Sequence, residues 1–263
     1  EKISLELEEP FACHEGAHVL GELTYALVGD TNGTEAYAAC TSVCAAGCQH
    51  AVLGEIAKES DEPLYTQYTE LESLCEQHTA TPGEYGLCIH GLGHAFLVER
   101  DGDIFPAVAD CDKLSQAETF CYGGVFMENR TNIMGGGWQY VKENDTFFPC
   151  TMEDLDEKYK WSCYMQAAPV LFANDDALKS CKEGAPQQWQ QACAAGVGMS
   201  LAAHRPYSLD SMIGYCERDN ELKASCLRGA YRYLLALGNT NLTEAYCEKL
   251  TSQKEFICAP LEF

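Results

Sequence analysis

The chain has 263 residues, 46% of them hydrophobic, which is enough to bury a core rather than remain disordered. Forty acidic against 17 basic residues give a formal charge of -23, a sign that repels phosphate backbones and attracts cations, so nucleic acid is not an expected partner. No apolar run approaches the roughly 18 to 20 residues of a membrane span, and the opening EKISLELEEP lacks the order of a signal segment; the reading is a mature, soluble product without membrane insertion.

In chain order, residues 1–35 read as a lead-in with an N-terminal helix, and a repeat begins after them. Cys40, Cys75, Cys111, Cys150, Cys181, Cys216 and Cys247 recur at steps of 31 to 39 residues, and each has a follower 8 to 13 positions on: Cys48, Cys88, Cys121, Cys163, Cys193, Cys226 and Cys258. The residues before each first Cys read helical, the gap is polar, and the second Cys opens an apolar segment, so each unit is predicted to be helix, turn, helix. Gly91, Gly124, Gly196 and Gly229, each three residues after its Cys, predict close approach between helices. Residues 130–148, with Gly135, Gly136, Gly137 and Trp138, break the pattern as an irregular insertion. Trp138 and Tyr140 there can meet a partner or sugar, although a surface excursion is the simpler reading. Trp161, Tyr164, Met165, Tyr207, Tyr215, Tyr231 and Tyr233 read as core, and the acidic run 153–157 as a solvated helix start.

Sixteen cysteines point to an oxidising, extracellular compartment, so the chain reads as secreted. Local pairing would give Cys40–Cys48, Cys75–Cys88, Cys111–Cys121, Cys150–Cys163, Cys181–Cys193, Cys216–Cys226 and Cys247–Cys258, leaving Cys13–Cys44 to tie the N-terminal helix to the first repeat. Spacing alone does not prove that connectivity. Sequons at Asn32, Asn129, Asn144 and Asn241 agree with export, with plain surface loops as the alternative. No C-x-x-C pair suggests a zinc knuckle or iron–sulfur centre, no C-x-x-C-H suggests haem, and no phosphate or dinucleotide loop suggests a nucleotide.

The expected fold is all-α: one domain over 1–263, with repeats over 36–258 forming an α/α solenoid of about seven disulfide-stapled hairpins, close in unit size to tetratricopeptide repeats. The spacing A-x-x-x-C, about ten residues, then C-x-x-G, as in Ala177 to Cys181 followed by Cys193 to Gly196, resembles the Sel1-like cysteine-rich helical repeat proteins. That resemblance implies a secreted solenoid with one disulfide per repeat and a binding role, and it supplies no catalytic residue.

The chemistry concentrates in the histidines, six of whose seven members lie within the first 94 residues. His14 and His18 stand four apart with Glu22 a turn further on, His90 and His94 repeat the spacing, and His50 follows Cys48 by the offset at which His90 follows Cys88. Glu55 and Glu128 share an offset of seven after Cys48 and Cys121. Such a set, His14, His18, His50, His90 and His94 with Glu22 or Glu55, suits a divalent transition metal, zinc or copper. A second reading takes HEGAH at 14–18 as a zinc peptidase motif with Glu15 as general base, although Gly91 stands where the parallel pair would need a base. A third has the histidines simply packing or capping, which is the reading for His78 and His204. The sequence therefore favours an extracellular metal-binding protein that interacts with proteins or self-assembles, over a metal-free filament or surface-layer subunit and over an enzyme.

Overall fold

The computed structural model describes the chain except residues 1–9, 29–32, 43, 60, 133, 135–138, 172–175, 205–207, 238–239 and 260–263. It is all-helical. Among the described residues there are fourteen α-helices and no strand, only an isolated bridge between Lys142 and Asp145. They are α1 (Pro10–Val28), α2 (Thr34–Ala39), α3 (Gly47–Glu59), α4 (Tyr68–His78), α5 (Pro82–Glu99), α6 (Ile104–Cys111) and α7 (Glu118–Thr131), followed by α8 (Glu157–Leu171), α9 (Ala177–Gly184), α10 (Gln190–His204), α11 (Leu209–Cys216), α12 (Lys223–Ala236), α13 (Thr240–Lys249) and α14 (Lys254–Ile257). No helix among the described residues is long and apolar enough to cross a membrane.

Local chemistry starts these helices where the sequence changes character. Thr81 accepts from Glu84 N at 3.2 Å while Glu84 Oε2 accepts from Ala80 N at 2.8 Å, and Pro82 opens α5 without losing a needed N–H. Asp103, Asp176 and Ser208 cap α6, α9 and α11 through side-chain oxygens. In the 153–157 run, Asp156 Oδ1 accepts from Lys158 N at 3.0 Å and the acidic side chains are exposed, as a solvated helix start requires.

Seven local disulfides close as the spacing suggested, from Cys40–Cys48 through Cys247–Cys258, with Cα separations of 5.5 to 6.2 Å. Five of them join the end of a first helix to the first two turns of its partner: α2 to α3, α4 to α5, α6 to α7, α9 to α10 and α11 to α12. The other two depart from the predicted hairpin. Cys150 sits among turns before α8, and Cys258 follows the four-residue α14 rather than opening a helix. Cys44 is also disulfide-bonded, and the side chain of Cys13 lies outside the described residues.

The chain divides into two compact units, Phe11–Val141 and Lys142–Glu262, apart from a few terminal residues, and the division falls inside the 130–148 insertion. In the first, α1, α3, α5 and α7 pack in succession; in the second, α8, α10 and α12 do the same. One register governs both. A methyl at Gly124 would strike His90 O, at Gly196 Met165 O and at Gly229 Ala195 O, so the glycine three residues after each Cys admits the carbonyl two residues after the preceding Cys. Five residues after the Cys, Gly93 meets Cys121 O and Gly198 meets Cys226 O. Gly21 meets Cys48 O in the same way, which puts α1 in register with His18 at the position of His50 and His90.

Tyr164 and Tyr231 are core residues as predicted, whereas Trp161 is 38% exposed and Tyr215 half-buried, its hydroxyl accepting from Ala177 N at 2.9 Å. Met165 and Tyr233 are half-buried, and Tyr207 lies outside the described residues. Tyr140 is half-buried, its hydroxyl donating to Asp103 Oδ1 at 3.1 Å and its ring against Phe105. Gly135, Gly136, Gly137 and Trp138 lie outside the described residues.

Candidate metal centre

Register explains why distant histidines meet. His18, His50 and His90 occupy one position on the successive helices α1, α3 and α5, while His14 lies a turn before His18 and His94 a turn after His90. His50 is the hub: its ring centroid lies 5.5 Å from His14, 5.9 Å from His18, 5.6 Å from His90 and 5.5 Å from His94. The outer pairs match, with centroids 4.7 Å apart for His14–His18 and 4.9 Å for His90–His94. In each pair the two Nε2 atoms stand 3.2 Å apart. Space for the hub is made by Gly91, where a Cβ would lie 2.6 Å from His50 Cδ2. That glycine, expected to bring helices together, makes room here for an imidazole.

Hydrogen bonds settle which ring nitrogens are free, because a carbonyl oxygen only accepts. His14 Nδ1 donates to Cys44 O at 2.8 Å, His90 Nδ1 to Phe120 O at 3.2 Å, and His50 Nε2 to Leu87 O at 3.0 Å. In the neutral rings, His14 Nε2, His90 Nε2 and His50 Nδ1 are then bare lone pairs. His94 Nδ1 is 2.9 Å from Glu128 Oε2 with both side chains fully buried, and Glu128 Oε1 accepts from Met134 N at 2.8 Å. With Glu128 ionised, His94 Nδ1 carries the hydrogen and its Nε2 faces that of His90 with no hydrogen from either neutral ring between them. In that state two lone pairs meet at 3.2 Å, an arrangement that a metal ion or a proton between them satisfies. His18 Nδ1 and His50 Nδ1 are buried without a hydrogen-bond partner.

A proton is disfavoured across most of the cluster. Burial lowers His14 to about 4 against the opposing help of the Cys44 carbonyl, and burial followed by neighbouring imidazoles lowers His18 to about 2. His50 and His90 are pushed well below the ordinary histidine value, again first by burial. Neutral imidazole is the form that binds metal. The ligand atoms of His14, His18 and His50 all lie within 4.8 Å of one another, the spread of a three-ligand site. Held Nδ1–H groups behind Nε2 are also the usual outer shell of metal-ligating histidines.

The two carboxylates expected to join do not. Glu22 is exposed on α1, away from the buried rings, and Glu55 is turned to Lys58 Nζ at 2.7 Å. Glu128 takes that part from behind His94, and its offset of seven from Cys121 was the signal for it. The backbone acceptors Cys44 O, Leu87 O and Phe120 O had no sequence signal, since only packing aims a carbonyl. Of the peptidase motif, His14 and His18 are buried in the cluster while the Glu15 side chain lies outside the described residues. His78 is half-buried against Tyr37, and the side chain of His204 is outside the described residues. Among the sequons, Asn144 and Asn241 are exposed and Asn32 is outside the described residues. Asn129 is 0% exposed with Nδ2 donating to Tyr140 O at 2.9 Å, which closes it to a glycan in this fold.

Compared with known protein families, with curated proteins and with solved structures, the chain matches none.

Proposed function

We propose that this chain is a secreted metal-binding protein, an α/α solenoid of about seven disulfide-stapled repeats that carries a divalent transition metal, zinc or copper, in its histidine cluster. The observation that carries the reading is the set of buried imidazole nitrogens: tautomers held by Cys44 O, Leu87 O, Phe120 O and an ionised Glu128 leave lone pairs on His14 Nε2, His50 Nδ1, His90 Nε2 and His94 Nε2 within one cluster. Imidazole ligands suit zinc and copper, and the acidic exterior raises the local concentration of cations. Seven disulfides fit an oxidising, extracellular setting, and the Sel1-like spacing fits a solenoid that binds other proteins or its own copies. An interaction or assembly role draws on the row Val19, Leu23 and Leu27 of α1, exposed to 57, 55 and 85%.

The test is metal content of the purified protein by elemental analysis, beside a His14→Ala, His90→Ala double variant. Zinc or copper bound by the wild type, natively or after dialysis against the metal, and lost by a folded variant is the expected result. A wild type that neither carries nor rebinds metal would overturn the reading and leave an acidic binding or structural scaffold.

A further inference from the structure

We propose that the histidine cluster is a two-metal centre, one ion held by His14 Nε2, His18 Nε2 and His50 Nδ1 and a second by His90 Nε2 and His94 Nε2 with Glu128 behind. This rests on the metal-binding reading above and adds the number of ions and the ligands of each.

Distances separate one ion from two. Nitrogens sharing a four-coordinate zinc at 2.0–2.1 Å stand about 3.3 Å apart, the edge of a tetrahedron of that size. Each His pair presents one such edge, at 3.2 Å, so each pair alone spans the coordination edge of one ion. The pairs belong to different helices, α1 and α5, with the α3 ring of His50 between them. Among the described residues, the ligand atoms that close to within 4.8 Å are those of His14, His18 and His50.

The two halves are also built alike around the hub. His14 and His94, the outer members, each fix Nδ1 on an acceptor, Cys44 O at 2.8 Å and Glu128 Oε2 at 2.9 Å, and present Nε2 inward. The halves differ in coordination. The first offers three nitrogens and the second two, so the second ion keeps more positions for solvent or a small ligand, the property that distinguishes reactive metal sites from closed structural ones. Divalent ions in neighbouring positions favour an anion or hydroxide shared between them, and the only carboxylate hydrogen-bonded to these rings among the described residues is Glu128.

The deciding experiment titrates chelator-stripped wild-type protein with zinc and, separately, with copper, in the presence of a competing chelator that masks weak surface carboxylate sites. Two equivalents per chain are expected. The His90→Ala, His94→Ala variant and the His14→Ala, His18→Ala variant are each expected to keep one, with helicity and the seven local disulfides checked by circular dichroism and peptide mapping. One equivalent in the wild type overturns the two-ion assignment while leaving metal binding intact, and none overturns both. The wild-type stoichiometry stands even if a variant fails to fold.

Discussion

Replacing Glu128 by Gln keeps the shape of the side chain and changes one buried donor–acceptor relation. In the wild type, both carboxylate oxygens accept, one from His94 Nδ1 and one from Met134 N, and both side chains of the Glu128–His94 pair are fully buried. A glutamine has one oxygen and one NH₂. If its oxygen keeps the Met134 N–H, the NH₂ faces His94 Nδ1, and the ring must move its hydrogen to Nε2, the atom that would ligate metal. If the amide turns over, His94 is preserved and the Met134 N–H is left facing a donor, which costs about 1–3 kcal/mol for an unsatisfied buried group. Glu128→Gln is therefore expected to weaken metal retention roughly 10- to 100-fold, the usual consequence of removing an outer-shell partner, or about 1.4–2.7 kcal/mol. Competition against a chelator of known affinity measures it, with thermal unfolding of the metal-free protein as the control for folding. Wild-type affinity in a folded Glu128→Gln protein would refute the tautomer assignment and the role given to His94.

Two further outcomes follow from the same geometry. His14 is held neutral to about 4 against an ordinary 6.5, so below pH 6.5 the unfolded chain takes up a proton that the folded chain refuses. Stability of the metal-free protein should be full above pH 6.5 and fall by about 1.4 kcal/mol per pH unit for each such histidine, roughly 3 kcal/mol from His14 alone by pH 4, with His18, His50 and His90 acting in the same direction. Denaturant midpoints between pH 7.5 and 4.5 read the slope, and a flat or rising profile would contradict the neutral, buried assignment. Separately, Gly229→Ala places a methyl against Ala195 O and should cost about 1–3 kcal/mol or more, whereas Gly214→Ala in α11, with no atom within 4 Å, should gain roughly 0.5–1 kcal/mol from helix propensity. Equal effects of the two substitutions on the unfolding midpoint would contradict the shared register.

Helical class, the seven local disulfides and the identity of the histidines were legible in the sequence, because each depends on short spacing: two Cys about ten residues apart at a helix turn, or two His one turn apart. The glycines of the C-x-x-G pattern were legible as points of close approach for the same reason. The Asn129 sequon shows the limit of such reading, since a tripeptide marks an acceptor whether or not the fold buries it. Glu22 shows it again: helical periodicity places Glu22 on the same stripe as His18, but α3 covers only part of that stripe, and Glu22 faces solvent.

The sequence by itself determined that imidazoles occur in pairs and that glycine recurs three residues after the second cysteine of a unit, where helices touch. Tertiary structure alone decided that α1 joins the stack as if it were a repeat helix, so that His14 and His18 face His50, and that His50 lies between two pairs 72 to 80 residues apart along the chain. It also decided which nitrogen is bare in His14, His50, His90 and His94, because that depends on carbonyls at Cys44, Leu87 and Phe120 and on the Glu128 carboxylate. The physical reason is one of range. Spacing along a helix fixes what neighbours share within a turn or two, whereas register between helices and the aim of a backbone carbonyl are set by packing across the core.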